Sequence, residues 1–166
     1  MKTNELCITA LLGCILFLSF SLCSQVLDLE VITLMVVLIS LYFRKNLVLL
    51  SILVFSFCLV LSIGFNIHTC MYLVVYVVYG YITVKLKKYL LKHSYFRYGY
   101  IGGLSFLTGQ ILQLPFMLVS SKVTMIYILL GLKTSLIQGG VSFVAAMLLF
   151  DVIHERLNKI LKGKYQ

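Results

Sequence analysis

His68, Tyr72, Tyr76 and Tyr79 recur at spacings of four, four and three within an apolar run. On a helix that spacing stacks them along one face. A polar and aromatic stripe on an apolar helix usually faces something other than lipid, and with a few amides it suits a small, partly polar organic ligand. Carboxamides stand in other apolar runs, with Gln110 and Gln113 in one and Gln138, following Thr134 and Ser135, in another. Asn66 opens the His68 run, while Asp28, Glu30 and Lys133 punctuate the breaks between runs. Amides, phenols and one imidazole point to ligand binding rather than bond-making. The competing reading is that these groups hydrogen-bond one another between helices and simply hold a bundle together.

Bond-making constellations are harder to find. Asp151, His154 and Glu155 stand at i, i+3 and i+4. Helical zinc sites typically use two histidines one turn apart plus a third ligand, so this trio beside Arg156 reads as an ion-paired helix end. The chain has no phosphate-binding glycine loop with lysine, no G-x-S-x-G and no pair of carboxylates deep in an apolar run. It is expected not to be an enzyme, to hold no metal or cofactor, and to draw any transport energy from elsewhere. Cys7, Cys14, Cys23, Cys58 and Cys70 lie in or at the ends of apolar runs with no C-x-x-C pair and read as small packing residues.

The elements that must position these groups follow from composition. Of 166 residues, 61% are hydrophobic and 11% charged, which places the chain with membrane proteins. Six runs approach the roughly 20 helical residues that cross a hydrocarbon core of about 30 Å. They cover 6–24, 27–43, 47–64, 67–84, 98–119 and 134–155, with 123–130 as a short interfacial segment. The fold expected is a single all-α membrane domain over 1–166, a bundle of six transmembrane helices. The first run reads as a retained helix rather than a cleaved leader.

Charge sets the orientation. The formal charge is +9, but the basic residues form short clusters between apolar runs, which argues for topology signals rather than nucleic-acid binding. One face of the bundle would carry twelve of the 14 Lys and Arg residues, the other only Lys122 and Lys133. Both termini are therefore expected in the cytoplasm of a cell-membrane protein. On this orientation Tyr72 and Tyr76 lie about 7 and 14 Å in from the outer end, Gln113 and Gln110 about 9 and 13 Å, and Gln138 about 6 Å. Asn66, His68, Tyr72, Tyr76, Gln110, Gln113 and Gln138 then form an outer-half pocket. Asp28, Glu30 and Lys133 gate it from the outer loops, and Tyr79 is too deep to contribute.

Small residues mark close approaches between helices. Gly99-Tyr100-Ile101-Gly102-Gly103, continued by Ser105 and Gly109, is expected to pack inside the bundle. Ala10, Gly13 and Cys14 form a second patch, which a terminal helix can offer to another protein.

With these features in place the chain resembles the substrate-binding S components of energy-coupling factor (ECF) vitamin transporters. The likeness lies in Lys2-Thr3-Asn4-Glu5-Leu6 with Ala10-Leu11-Leu12-Gly13-Cys14, in Leu29-Glu30-Val31-Ile32-Thr33-Leu34, and in Gly64-Phe65 through Met71-Tyr72. It continues from Gly102-Gly103-Leu104 to Pro115-Phe116 and from Leu130-Gly131 to Leu148-Leu149-Phe150. The first-helix patch reads Ala10-x-x-x-Cys14 where the family has two alanines, and Lys133 stands where a proline is common. The resemblance implies six helices that capture a vitamin, a cofactor precursor or, in some members, a metal ion at the outer face, of which a vitamin or precursor is the expectation for this chain. It also implies docking, through Ala10, Gly13 and Cys14, on an EcfT-type transmembrane coupling subunit that carries two ATPase subunits. A rival is a membrane scaffold of MreD type for the cell-wall machinery, which needs no ligand cavity.

Overall fold

The computed structural model describes residues 3–23, 31–118 and 120–162. Among these the chain is all-helical. Six α-helices run in the order α1 (Thr3–Cys23), α2 (Ile32–Tyr42), α3 (Lys45–Ile63), α4 (Ile67–Lys92), α5 (Ser94–Ile111) and α6 (Ser121–Lys162), with a 3-10 turn at Leu114–Leu118. Four of them, α1, α3, α4 and α6, are long and apolar enough to cross a membrane, which makes this a membrane protein.

The bundle is built around its shortest helix. α2 contacts all five other helices, and Ile32–Leu34 and Val36–Leu41 are buried. A helix apolar on every side offers no face to water, and here the neighbouring helices rather than lipid cover it. Its 11 described residues rise about 16 Å, roughly half a hydrocarbon core. The start of the expected second span, with Asp28 and Glu30, lies outside the described residues.

Local chemistry sets the other boundaries. α3 stops at Gly64, whose φ of 91° suits glycine. Two residues later Asn66 starts α4 with a capping box: Thr69 N donates to Asn66 Oδ1 at 2.9 Å, and Asn66 N donates to Thr69 Oγ1 at 3.1 Å. α4 then runs past the expected end at Val84. Lys85, Lys87, Lys88 and Lys92 are therefore on a helix, not in a loop, and His93 alone separates α4 from α5.

The fifth and sixth runs depart most from expectation. α5 starts at Ser94, four residues early, and ends at Ile111 rather than Val119. Pro115, the one proline, cannot donate to a helical ladder and disfavours helical geometry just before it. The chain tightens instead through a Gln113 N to Gln110 O bond of 3.1 Å. α6 is one helix of 42 residues, about 63 Å long. The segment 123–130 is thus its opening turns and not a separate interfacial element. Gly131, where a break was expected, costs a helix only about 1 kcal/mol relative to alanine.

Packing is tightest between α5 and α6. A Cβ on Gly102 would lie 2.9 Å from Gly139 O, and one on Gly139 would lie 3.0 Å from Gly102 O. Neither position can take a side chain without the two backbones shifting apart, as in other small-residue helix contacts. Beside them Ser142 Oγ donates to Ser105 Oγ at 2.9 Å. Gly99 and Gly103, by contrast, have nothing within 4 Å of where a Cβ would be. The G-x-x-x-G pair faces out of the bundle, and its neighbour Gly102 makes the internal contact.

Candidate functional site

The aromatic row on α4 is where side chains converge. Tyr72 and Tyr76 stack with centroids 5.8 Å apart and planes 13° from parallel. Phe20 of α1 stands edge-on to Tyr72 at 5.4 Å, and Phe55 of α3 edge-on to Tyr76 at 5.9 Å. Tyr76 is fully buried. Offset and edge-to-face pairs of this kind add about 0.5–1.5 kcal/mol each beyond burial, so the row is rigid as well as apolar.

Against this wall lies a cavity of about 250 Å³. Tyr72, Tyr76 and Phe20 line one part of it, and Thr108, Gln113, Thr134, Ser135 and Gln138 contribute its polar atoms. Ile32, Gly109 and Leu112 complete the lining. α5 and α6 come close at Gly109, where a Cβ would meet Ser135 Oγ at 2.5 Å and Gln138 Oε1 at 2.8 Å. Gln110 Nε2 donates to Ser135 Oγ at 2.8 Å and holds that hydroxyl in place. Gln113 sits on the turn that Pro115 imposes, with its amide laid over Gly131; a Cβ there would be 1.7 Å from Gln113 Nε2. Its Oε1 is buried without a hydrogen-bond partner. The described lining offers hydroxyls, amides and aromatic faces and no side chain of Asp, Glu, Lys, Arg or His.

Four of the seven expected pocket residues, Tyr72, Tyr76, Gln113 and Gln138, therefore meet in one cavity. Gln110 stands just behind it through Ser135. Gln110 and Gln113 do not share a helical face, because α5 ends between them. Asn66 is absent from the lining and is used as the α4 cap. His68 is also absent. Its ring packs on Phe116 at 5.6 Å, and Phe116 stacks on Tyr127 at 4.4 Å, which joins α4 to the 3-10 turn and α6. Tyr79 is core: its hydroxyl donates to Leu104 O at 3.1 Å. Lys133 is exposed on α6 beside the lining residue Thr134, and Asp28 and Glu30 lie outside the described residues. Thr108, Thr134, Ser135 and Phe20 were not singled out as site residues. Thr134, Ser135 and Gln138, at i, i+1 and i+4, carried the signal of a polar helix face.

A second polar cluster ties the opposite, lysine-bearing end. Arg97, buried at 3% exposure, donates from Nη2 to Asp151 Oδ1 at 2.7 Å and from Nη1 to Leu90 O at 3.4 Å. Its guanidinium lies over Phe150 at 3.9 Å. Tyr98 Oη donates to Asp151 Oδ2 at 2.6 Å, and Tyr42 Oη and His154 Nδ1 form a hydrogen bond. Asp151 thus has its ion pair across the α5–α6 interface rather than with Arg156, and Arg97 is a buried strut rather than a loop charge. Nearby, Lys45 and Lys85 both lie 4.5 Å from the Tyr81 ring centre. Among the described residues no three of His, Cys, Asp and Glu gather closely enough to hold a metal ion. All five cysteines are free.

The first-helix patch divides. Gly13 is buried, and a Cβ on it would meet Val54 Cβ at 2.6 Å and Ser51 O at 3.0 Å, so it serves the α1–α3 contact. Ala10 and Cys14 are exposed. No family model, no curated protein and no solved structure matches the chain.

Proposed function

We propose that the protein is the substrate-capture subunit of an ECF-type importer. It binds a small vitamin-like molecule or cofactor precursor from the outer face, and separate ATPase subunits drive transport. In this reading the chain crosses the cell membrane six times with both termini in the cytoplasm, and the lysine-bearing end faces inward. The observation that carries the reading is the cavity. A chain that is otherwise mostly apolar gathers two stacked tyrosines, three hydroxyls and two carboxamides around about 250 Å³ of space. Intramembrane polar groups are costly and usually face a cavity or a partner. Ala10 and Cys14, exposed on α1, are the residues through which the EcfT-type subunit would dock, with Gly13 behind them holding α1 on α3.

The test is ligand-blind. Protein purified from its own membranes is denatured, and the released small molecules are identified by mass spectrometry. A near-stoichiometric compound that disappears in Gln138→Leu supports capture. In a parallel pull-down, Ala10→Leu and Cys14→Leu are expected to lose the ATPase subunits.

A scaffold of MreD type is the second reading, and the outward-facing Gly99 and Gly103 favour it because such a face suits a protein partner. Release of no small molecule, together with co-purified cell-wall proteins, would decide for the scaffold.

A further inference from the structure

We infer that Lys45, Tyr81 and Lys85 form a site for the phosphate of an anionic phospholipid, in the leaflet at the lysine-bearing end of the bundle. This stands apart from the capture reading and goes beyond it.

The sequence requires counter-charge from outside. The chain has 14 Lys and Arg against five Asp and Glu, so pairing every acid still leaves nine cations for other partners. The fold then brings two of these cations together. Lys45 opens α3 and Lys85 lies near the far end of α4, yet both ammoniums stand 4.5 Å from the centre of the Tyr81 ring. They are therefore no more than twice that distance apart. The electron-rich ring face attracts each of them, which gathers two otherwise flexible side chains at one place. Two like charges so placed also repel one another. An anion with several acceptor oxygens removes that repulsion, because each ammonium keeps N–H donors that the ring does not use.

The position along α4 selects a lipid. Val74, Val78, Tyr81 and Lys85 recur at four, three and four, which puts them on one helical face. All four are exposed. Along its length that face changes from aliphatic to aromatic to cationic, the order of acyl chain, glycerol and phosphate in a phospholipid. From the start of α4, Tyr81 lies about 21 Å along and Lys85 about 27 Å, against a hydrocarbon core of about 30 Å. The ring thus sits near the edge of the core, and the lysine stems carry their charges into the phosphate layer. A soluble phosphate compound meets only the charged end of this stripe, whereas a lipid meets all of it.

Native mass spectrometry of the full chain, delipidated in an uncharged maltoside detergent, tests the site. The protein is titrated with dioleoylphosphatidylglycerol and with dioleoylphosphatidylcholine, which share their acyl chains. Phosphatidylglycerol is expected to bind more tightly. Lys45→Gln and Lys85→Gln should each weaken it about fivefold, and together about 25-fold, the size of one lysine–headgroup attraction apiece. The pair Lys45→Arg and Lys85→Arg keeps both charges and should retain it. Lys92→Gln removes the same charge from the same end, away from the ring, and should leave it in place. Equal binding of the two lipids overturns the site. So does a loss in Lys92→Gln as large as in the ring lysines, or an equal loss in the arginine pair. Displacement of bound lipid by millimolar inorganic phosphate or sn-glycerol 3-phosphate would assign the ammonium pair to a soluble phosphate and overturn the lipid. The capture assay reads a different ligand, so either reading can fail alone.

Discussion

Arg97 and Asp151, 54 positions apart, meet at 2.7 Å between Nη2 and Oδ1, with one partner 3% exposed and the other 60%. The asymmetry matters because the guanidinium depends on the carboxylate for its compensation, whereas water already reaches the carboxylate. Stranding a buried charge is far more costly than removing it. Asp151→Ala is therefore expected to destabilise the bundle by about 3 kcal/mol, the low end for a broken buried pair given the exposed acid. Arg97→Met should cost clearly less. SDS-titrated unfolding of the two variants reads the difference, and equal losses would mean that Arg97 is stabilised by its other contacts.

Gly102 and Gly103 are neighbours in sequence with opposite surroundings. Gly102→Ala pushes a methyl to 2.9 Å from Gly139 O and is expected to cost about 1–3 kcal/mol by overpacking. Gly99→Ala and Gly103→Ala meet nothing within 4 Å and should be neutral or gain up to about 1 kcal/mol from helix propensity. A destabilising Gly103→Ala would place the outward pair inside an interface.

Asn66 separates a capping role from a binding role. Asn66→Ala removes the side-chain acceptor of the box and should cost about 0.5–2 kcal/mol, while Asn66→Asp should restore most of it. Amounts of the small molecule released on denaturation should be unchanged in both variants. Their loss in Asn66→Ala alone would return Asn66 to the ligand site.

Tyr72 and Tyr76 differ in the same way. Tyr76 is fully buried within the aromatic row, so Tyr76→Ala is expected to cost about 3–5 kcal/mol, as other large aromatic truncations do. Tyr72 is only partly buried. Tyr72→Ala should cost less in unfolding assays and lose the small molecule that the unsubstituted protein releases on denaturation. If Tyr72→Ala still carries that molecule, the ligand does not lie on this ring.

The sequence by itself determined the class and much of the framework. Long uncharged apolar runs have few outcomes besides membrane helices, and α1, α3 and the start of α4 lie within about three residues of where those runs predicted. The Gly64-Phe65-Asn66 break was equally legible, because a positive φ and a capping box are written in local residue types. Gln113 was recognised as a polar group, but its placement was misread. The weight of Pro115 was missed, and with it the end of α5 and the turn that carries the amide. Long-range relationships had no local signature. That Arg97 leaves the basic segment to pair with Asp151, that Gly102 packs inward while Gly103 faces out, and that Gly131 makes room for Gln113 all depend on which helix lies alongside. Helical periodicity says which residues share a face. Only tertiary packing decides what that face meets, and for Tyr72, Tyr76, Gln113 and Gln138 it decided that they meet one another around a cavity.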